Sequence, residues 1–103
     1  MPNLTRIAST KECPPGKAIA VDVGSRRIAI FNVDGKHHAI DDACTHAGGN
    51  LSEGELQGCV VTCPWHGATF DITSGAVLSA PAADNVAHYN VQVDGDGISV
   101  EIP

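Results

Sequence analysis

Two short arms carry the residue types best suited to holding a metal: Cys44-Thr45-His46 and Cys63-Pro64-Trp65-His66, with residues 47–62 between them. Each arm joins one thiol to one imidazole, and soft thiolates with borderline imidazoles suit zinc or iron–sulfur centres. A structural Cys₂His₂ zinc site usually gathers its cysteines in one arm and its histidines in the other, so mixed arms weigh against zinc. Two mixed arms meeting tip to tip can instead give both thiolates to one iron and both imidazoles to the other of a two-iron, two-sulfide core. The other candidates read as structural. Cys13 and Cys59 behave as small apolar packing residues. His37, His38 and His88 lie on strand-like segments outside the arms and read as surface or sheet residues. None of these five is expected to bind the metal.

The bulk properties set limits on what surrounds this chemistry. At 103 residues the chain is one domain with one hydrophobic core, too short to add a separate catalytic domain. Apolar runs such as Ile28-Ala29-Ile30-Phe31 fall far below the roughly 20 residues needed to cross a bilayer. The opening MPNLTRIAST has neither the apolar core nor the cleavage motif of a signal peptide, so a soluble, cytoplasmic protein is expected. In that setting four cysteines point to metal binding or buried thiols rather than to disulfides. Twelve acidic residues against six basic ones leave a net charge of −6. That balance argues against nucleic acid or a membrane surface as partner. It suits docking onto a basic patch of another protein, and it also serves plain solubility.

The elements that must position the arms read almost wholly as short strands and turns. Leu4–Ala8 is a first strand, and Cys13-Pro14-Pro15-Gly16 breaks the chain. Lys17–Val23 alternates Ile19, Val21 and Val23 on one face, and Arg27–Val33 follows with Ile28, Ile30 and Asn32 on one face. Asp34-Gly35 is a type I′ hairpin signal, with Lys36–Ile40 as the returning strand. Within 41–79 only short strands are expected, at Gly58–Thr62, Thr69–Asp71 and Ala76–Leu78. Alternation then resumes through Tyr89, Val91 and Val93. It continues after an Asp94-Gly95-Asp96-Gly97 turn through Ile98–Ile102. At most one helical turn is expected, near Thr10-Lys11-Glu12. An irregular insert this long between β-rich flanks reads as functional.

The segment CTHAGGNLSEGELQGCVVTCPWHGATFDITSGAVLSAPA resembles the cluster-binding part of Rieske proteins, C-x-H followed by C-P-x-H-G. Among them it is most similar to the soluble ferredoxins of bacterial ring-hydroxylating dioxygenase systems. The resemblance covers most of the chain. It implies an all-β fold, an antiparallel β-sandwich base of three sheets (1–40 and 80–103) with a small inserted cluster-binding subdomain at about 41–79. It implies one Rieske-type [2Fe–2S] cluster, with Cys44 and Cys63 on the inner iron and His46 and His66 on the outer one. Gly48, Gly49 and Gly67 would let backbone N–H groups approach the sulfurs, Trp65 would cover the cluster, and Pro81 would belong to a shielding loop. The implied work is one-electron transfer from a flavoprotein NAD(P)H-dependent ferredoxin reductase to a terminal oxygenase, with no catalysis of its own. A Rieske-like small subunit of an assimilatory nitrite reductase is the alternative, and a zinc-stabilised interaction module the more distant one.

Departures from the family pattern bear on the potential. High-potential members tie their arms with a disulfide whose cysteines would fall at Gly49 and Trp65, and place a serine and a tyrosine hydroxyl where this chain has Ala68 and Phe70. Each missing donor leaves the reduced cluster less stabilised, so a midpoint on the order of −150 mV is expected. Two imidazoles in place of two thiolates still make the core easier to reduce than one held by four thiolates, because the reduced site carries less negative charge.

Overall fold

The computed structural model describes residues 3–43, 50–64, 67–79 and 84–102. Among these residues eleven strands run in chain order. They are β1 (Asn3–Ser9), β2 (Ala18–Val23), β3 (Arg26–Val33), β4 (Lys36–Asp41), β5 (Glu55–Gln57) and β6 (Val60–Thr62). Then come β7 (Thr69–Asp71), β8 (Val77–Ser79), β9 (His88–Tyr89), β10 (Val91–Asp94) and β11 (Gly97–Ile102). They form three antiparallel sheets, β1-β11-β10, β2-β3-β4-β9 and β5-β6-β7-β8. The all-β expectation and the number of sheets hold. Two sheets come from the flanks, and the third comes wholly from residues 55–79.

The sheet β2-β3-β4-β9 is the middle layer. One face of β3, through Ile28 and Ile30, packs with Ala8, Cys13, Ala39, Tyr89, Ile98 and Val100. The other, through Ala29 and Phe31, packs with Ile40, Leu51, Val61, Cys63, Phe70 and Ile72. β3 was expected to have one buried face; it is buried on both because a sheet lies against each side. That is why Ile28-Ala29-Ile30-Phe31 is a continuous apolar run rather than an alternating one.

Local chemistry accounts for most turns. Asp34 (φ 53) and Gly35 (φ 89) make the expected hairpin, and the Asn32 carboxamide accepts from the Gly35 amide at 2.8 Å. The expected helical turn falls at Thr10–Glu12, as a 3-10 turn started by Ser9 and Glu12 in a reciprocal capping box, but it is not alone: a second 3-10 turn, Leu51–Glu53, was not expected. The run from His88 to Val93 alternates without a break in sequence but changes sheets at Asn90. Tyr89 pairs with Ala39 in the middle sheet, and Val91 pairs with Val100 in another. Gly97 is already a buried residue of β11, so the last hairpin turn is narrower than the composition suggested. β5 was not anticipated, because Glu55-Leu56-Gln57 is too short and polar to stand out from loop.

Candidate metal centre

Of the four expected ligands, Cys63 lies within the described residues; Cys44, His46 and His66 lie outside them, as do Gly48, Gly49, Trp65 and Pro81. Cys63 is 2% exposed and sits in the apolar cluster with Leu51, Ala68 and Phe70. It directly follows β6, and two backbone bonds shape the turn after it. The Cys63 amide donates to the Ala68 carbonyl at 2.7 Å, and the Gly67 amide donates to the Cys63 carbonyl at 3.1 Å. Gly67 holds φ +79, a conformation that a side chain would strain. Its amide closes the turn that follows Cys63, the turn role that the glycine's lack of a side chain also allows.

The other segments that flank the site are fastened in the same manner. Ala43 and Asn50 form an antiparallel bridge on either side of 44–49. The Leu51 amide donates to the Asp42 carbonyl at 2.7 Å. Around 80–83, the Thr69 and Ser79 hydroxyls lie 2.7 Å apart, and the Val77 amide donates to the Asn85 side chain at 2.9 Å. These bases are neighbours. Gly54 has an ordinary extended φ of −78°, yet a Cβ there would collide with the Thr62 carbonyl, so the close approach of the chain before β5 to the end of β6 requires glycine for space. Gly75 does the same against the Val86 carbonyl, which the Val86 amide reinforces by donating to Gly75 at 2.9 Å.

Sequence reasoning passed over the charged groups beside the first arm. The Asp42 carboxylate is fully buried and accepts from Arg27 Nε at 2.8 Å and from the Ser52 amide at 2.8 Å. The hydrogen bond to Asp42 is the main reason the Arg27 guanidinium is held above its ordinary pKa. One residue earlier, Asp41 accepts from the Tyr89 hydroxyl at 2.5 Å, which in turn accepts from Arg26 at 3.0 Å. Burial first, and the bond to Asp41 second, raise the Tyr89 pKa. The available signal was an adjacent Arg26-Arg27 pair at the start of one strand and an adjacent Asp41-Asp42 pair at the end of the next.

The residues set aside as non-ligands have structural places. Cys13 is fully buried, its thiol donates toward the Lys17 and Ile30 carbonyls at 3.4 and 3.6 Å, and burial raises its pKa. Cys59 is half-buried in the turn before β6 and packs on the core beside Val61. His37 Nε2 lies 3.3 Å from the Asn32 amide nitrogen. His38 has its pKa lowered, chiefly by burial and then by His88. Among the described residues no group of three or more His, Cys, Asp or Glu is placed to hold a metal ion elsewhere.

A buried thiol at the end of a strand, with fastened segments on either side, suits a metal centre sheltered by the middle layer. The comparison with protein families decides its type: the Rieske [2Fe-2S] domain matches residues 3–90. The chain belongs to the Rieske [2Fe–2S] family. The ferredoxin subunit of the 3-phenylpropionate/cinnamic acid dioxygenase of Escherichia coli (strain K12) is 40% identical over 93 residues, 89% of this chain and 87% of that one. The ferredoxin of carbazole 1,9a-dioxygenase from Nocardioides aromaticivorans IC177 superposes with a TM-score of 0.91 at 29% identity, covering 98% of this chain and 99% of that one. A ferredoxin solved in complex with the reduced oxygenase of carbazole 1,9a-dioxygenase gives a TM-score of 0.87 at 30% identity, covering 95% and 92%. This Rieske protein thus carries a single [2Fe–2S] cluster and acts as an electron carrier of the ferredoxin type. Those relatives favour the carrier over a nitrite reductase subunit. Among the described residues no helix is long and apolar enough to cross a membrane.

Proposed function

We propose that this chain is the ferredoxin of a multicomponent aromatic-ring dioxygenase system, working in the cytoplasm between a flavoprotein NAD(P)H-dependent reductase and a terminal oxygenase. The observation that carries this reading is near end-to-end similarity to ferredoxin components of such systems, with each partner covered over most of its length. Cys44 and Cys63 hold the inner iron, and His46 and His66 the outer one. The cluster supplies a site that takes up and gives back one electron. The protein's own part is to hold the arms rigid, so that little rearrangement accompanies each transfer, and to keep Cys63 out of water. Residues of about 41–79 form the cluster-binding part, on a base of 1–40 and 80–103. Partners dock around the tip that carries His46 and His66, where the path to an outside acceptor is shortest.

Ala68 and Phe70 support a low potential. Both are fully buried, and neither offers a hydroxyl to a sulfur. A redox titration is expected to give a midpoint on the order of −150 mV, and Ala68→Ser to raise it. A clearly positive midpoint in the parent protein would overturn the low-potential reading. The functional test is anaerobic reduction of the holoprotein by candidate flavoprotein reductases with NADH, followed by mixing with candidate oxygenases and their aromatic substrates. Product formation that depends on this chain is expected. Efficient turnover only with a sirohaem nitrite reductase would sink the proposal.

A further inference from the structure

Among the described residues Asp42 makes four hydrogen bonds, and they join the two ends of a single segment. Its amide donates to the Arg27 carbonyl at 2.9 Å, and its carbonyl accepts from Leu51 at 2.7 Å. Its carboxylate accepts from Arg27 Nε and from the Ser52 amide, each at 2.8 Å. Residue 42 stands before the segment 44–49, and residues 51 and 52 stand after it. The backbone bond to Leu51 and the Ala43–Asn50 bridge already close that segment. The carboxylate adds something that closure did not require.

What it adds is not simply stability. The side chain is 0% exposed, whereas Arg27 is half in solvent. Taking a carboxylate out of water is costly, and a well-packed apolar residue often stabilises as much as a buried ion pair. An ion pair does supply direction. Arg27 occupies one carboxylate oxygen from a fixed fork, which leaves the other aimed at the Ser52 amide. Arg27 itself belongs to β3, the strand packed on both faces, and pairs in register with Asp22. A strand buried on both faces is therefore tied through Asp42 to the chain on either side of residues 44–49. Asp41 receives a parallel fastening from the Tyr89 hydroxyl, which itself accepts from Arg26.

We propose that Asp42, held by Arg27, is a positioning residue for the cluster: its carboxylate clasp sets the approach of the Cys44–His46 arm to the iron. This rests on the assignment of Cys44 and His46 as ligands, which a Cys44→Ser protein tests separately. Full iron content in that variant would overturn the assignment and the clasp with it.

The clasp is tested in the purified holoprotein by three readouts beside thermal unfolding: iron release to bathophenanthroline disulfonate, the EPR spectrum of the reduced form, and the midpoint potential. Asp42→Asn sets an amide N–H against Arg27 Nε. It is expected to release iron about tenfold faster, the effect typical of lost support around metal ligands, and to shift both the g-values and the potential. Adding Arg27→Gln places a carboxamide where Nε stood. Gln can accept from Asn there, so the double variant should recover most of all three readouts. Should Asp42→Asn fail to fold, Arg27→Met carries the same expectation, since it removes the donor from a half-exposed position. A folded Asp42→Asn or Arg27→Met protein that melts earlier but keeps the parent spectrum, potential and release rate would overturn the proposal.

Discussion

The middle sheet and the sheet of the insert are both antiparallel, yet they are held together in different ways. β2, β3 and β4 pair along their whole lengths, from Ala18↔Phe31 to Val23↔Arg26 and from Ile28↔Asp41 to Val33↔Lys36. Tight two-residue turns join them. The strands β5 to β8 are three residues each, and the register between β7 and β8 slips at Thr69/Phe70. Ladders that short supply few hydrogen bonds. The insert instead leans on the apolar cluster shared with Ala29, Phe31 and Ile40 of the middle sheet, and on side-chain fastenings such as Asp42–Ser52 and Thr69–Ser79. Strand pairing specifies the base from within. The insert is specified from outside itself, by the middle layer and, on the proposed ligand assignment, by the metal, since metal binding and local folding are one equilibrium.

Removing the proposed ligand Cys63 should separate the two regions most sharply. Cys63→Ser is expected to abolish iron content and visible absorbance. Amide hydrogen exchange should then show protection lost across β5–β8 and largely kept in β2–β4. Equal loss in both sheets would break the contrast. A smaller effect is expected from Gly54→Ala, whose Cβ would meet the Thr62 carbonyl. Overpacking of this kind costs about 1–3 kcal/mol. Gly24→Ala, in the β2–β3 turn at φ +61 with open space around it, should cost about 1 kcal/mol from backbone strain alone. Urea midpoints measure both costs. Iron release should quicken in Gly54→Ala and not in Gly24→Ala, because Gly54 packs against Thr62, the residue before Cys63.

The smallest effect concerns the junction between the regions. His38 pairs opposite Phe31 on β4, and burial, followed by His88, holds its pKa below the ordinary 6.5. The unfolded chain therefore takes up this proton first. The stability tied to His38 is complete above about pH 6.5 and declines as pH falls toward the lower folded-state value. Melting temperatures at about pH 7.5 and about pH 5.5 should differ less in His38→Gln than in the parent. An identical difference would show that His38 does not link the two regions through its charge. Asp71, lowered mainly by its bond from the Thr73 hydroxyl, titrates below this window and leaves the comparison intact.

The base was legible because its determinants are local. Asp34-Gly35 needs positive φ at both positions whatever surrounds it, and Ser9 with Glu12 caps its own turn. The mixed Cys–His arms stand out as a proposed ligand set because ligand chemistry restricts residue type and spacing before any fold exists. Other features depend on groups distant in sequence. Val91 follows Tyr89 in perfect alternation, and nothing in the chain marks the change of sheet at Asn90. Gly54 looks like any loop glycine until Thr62 is brought against it. Arg27 and Asp42 are ordinary surface residue types until β3 and β4 pair and bury the carboxylate. The sequence by itself determined the ligand set it offers and the strands that could carry it. Tertiary structure alone decided which faces are buried and which charges meet beside the first arm, because burial and pairing arise only when distant segments share space.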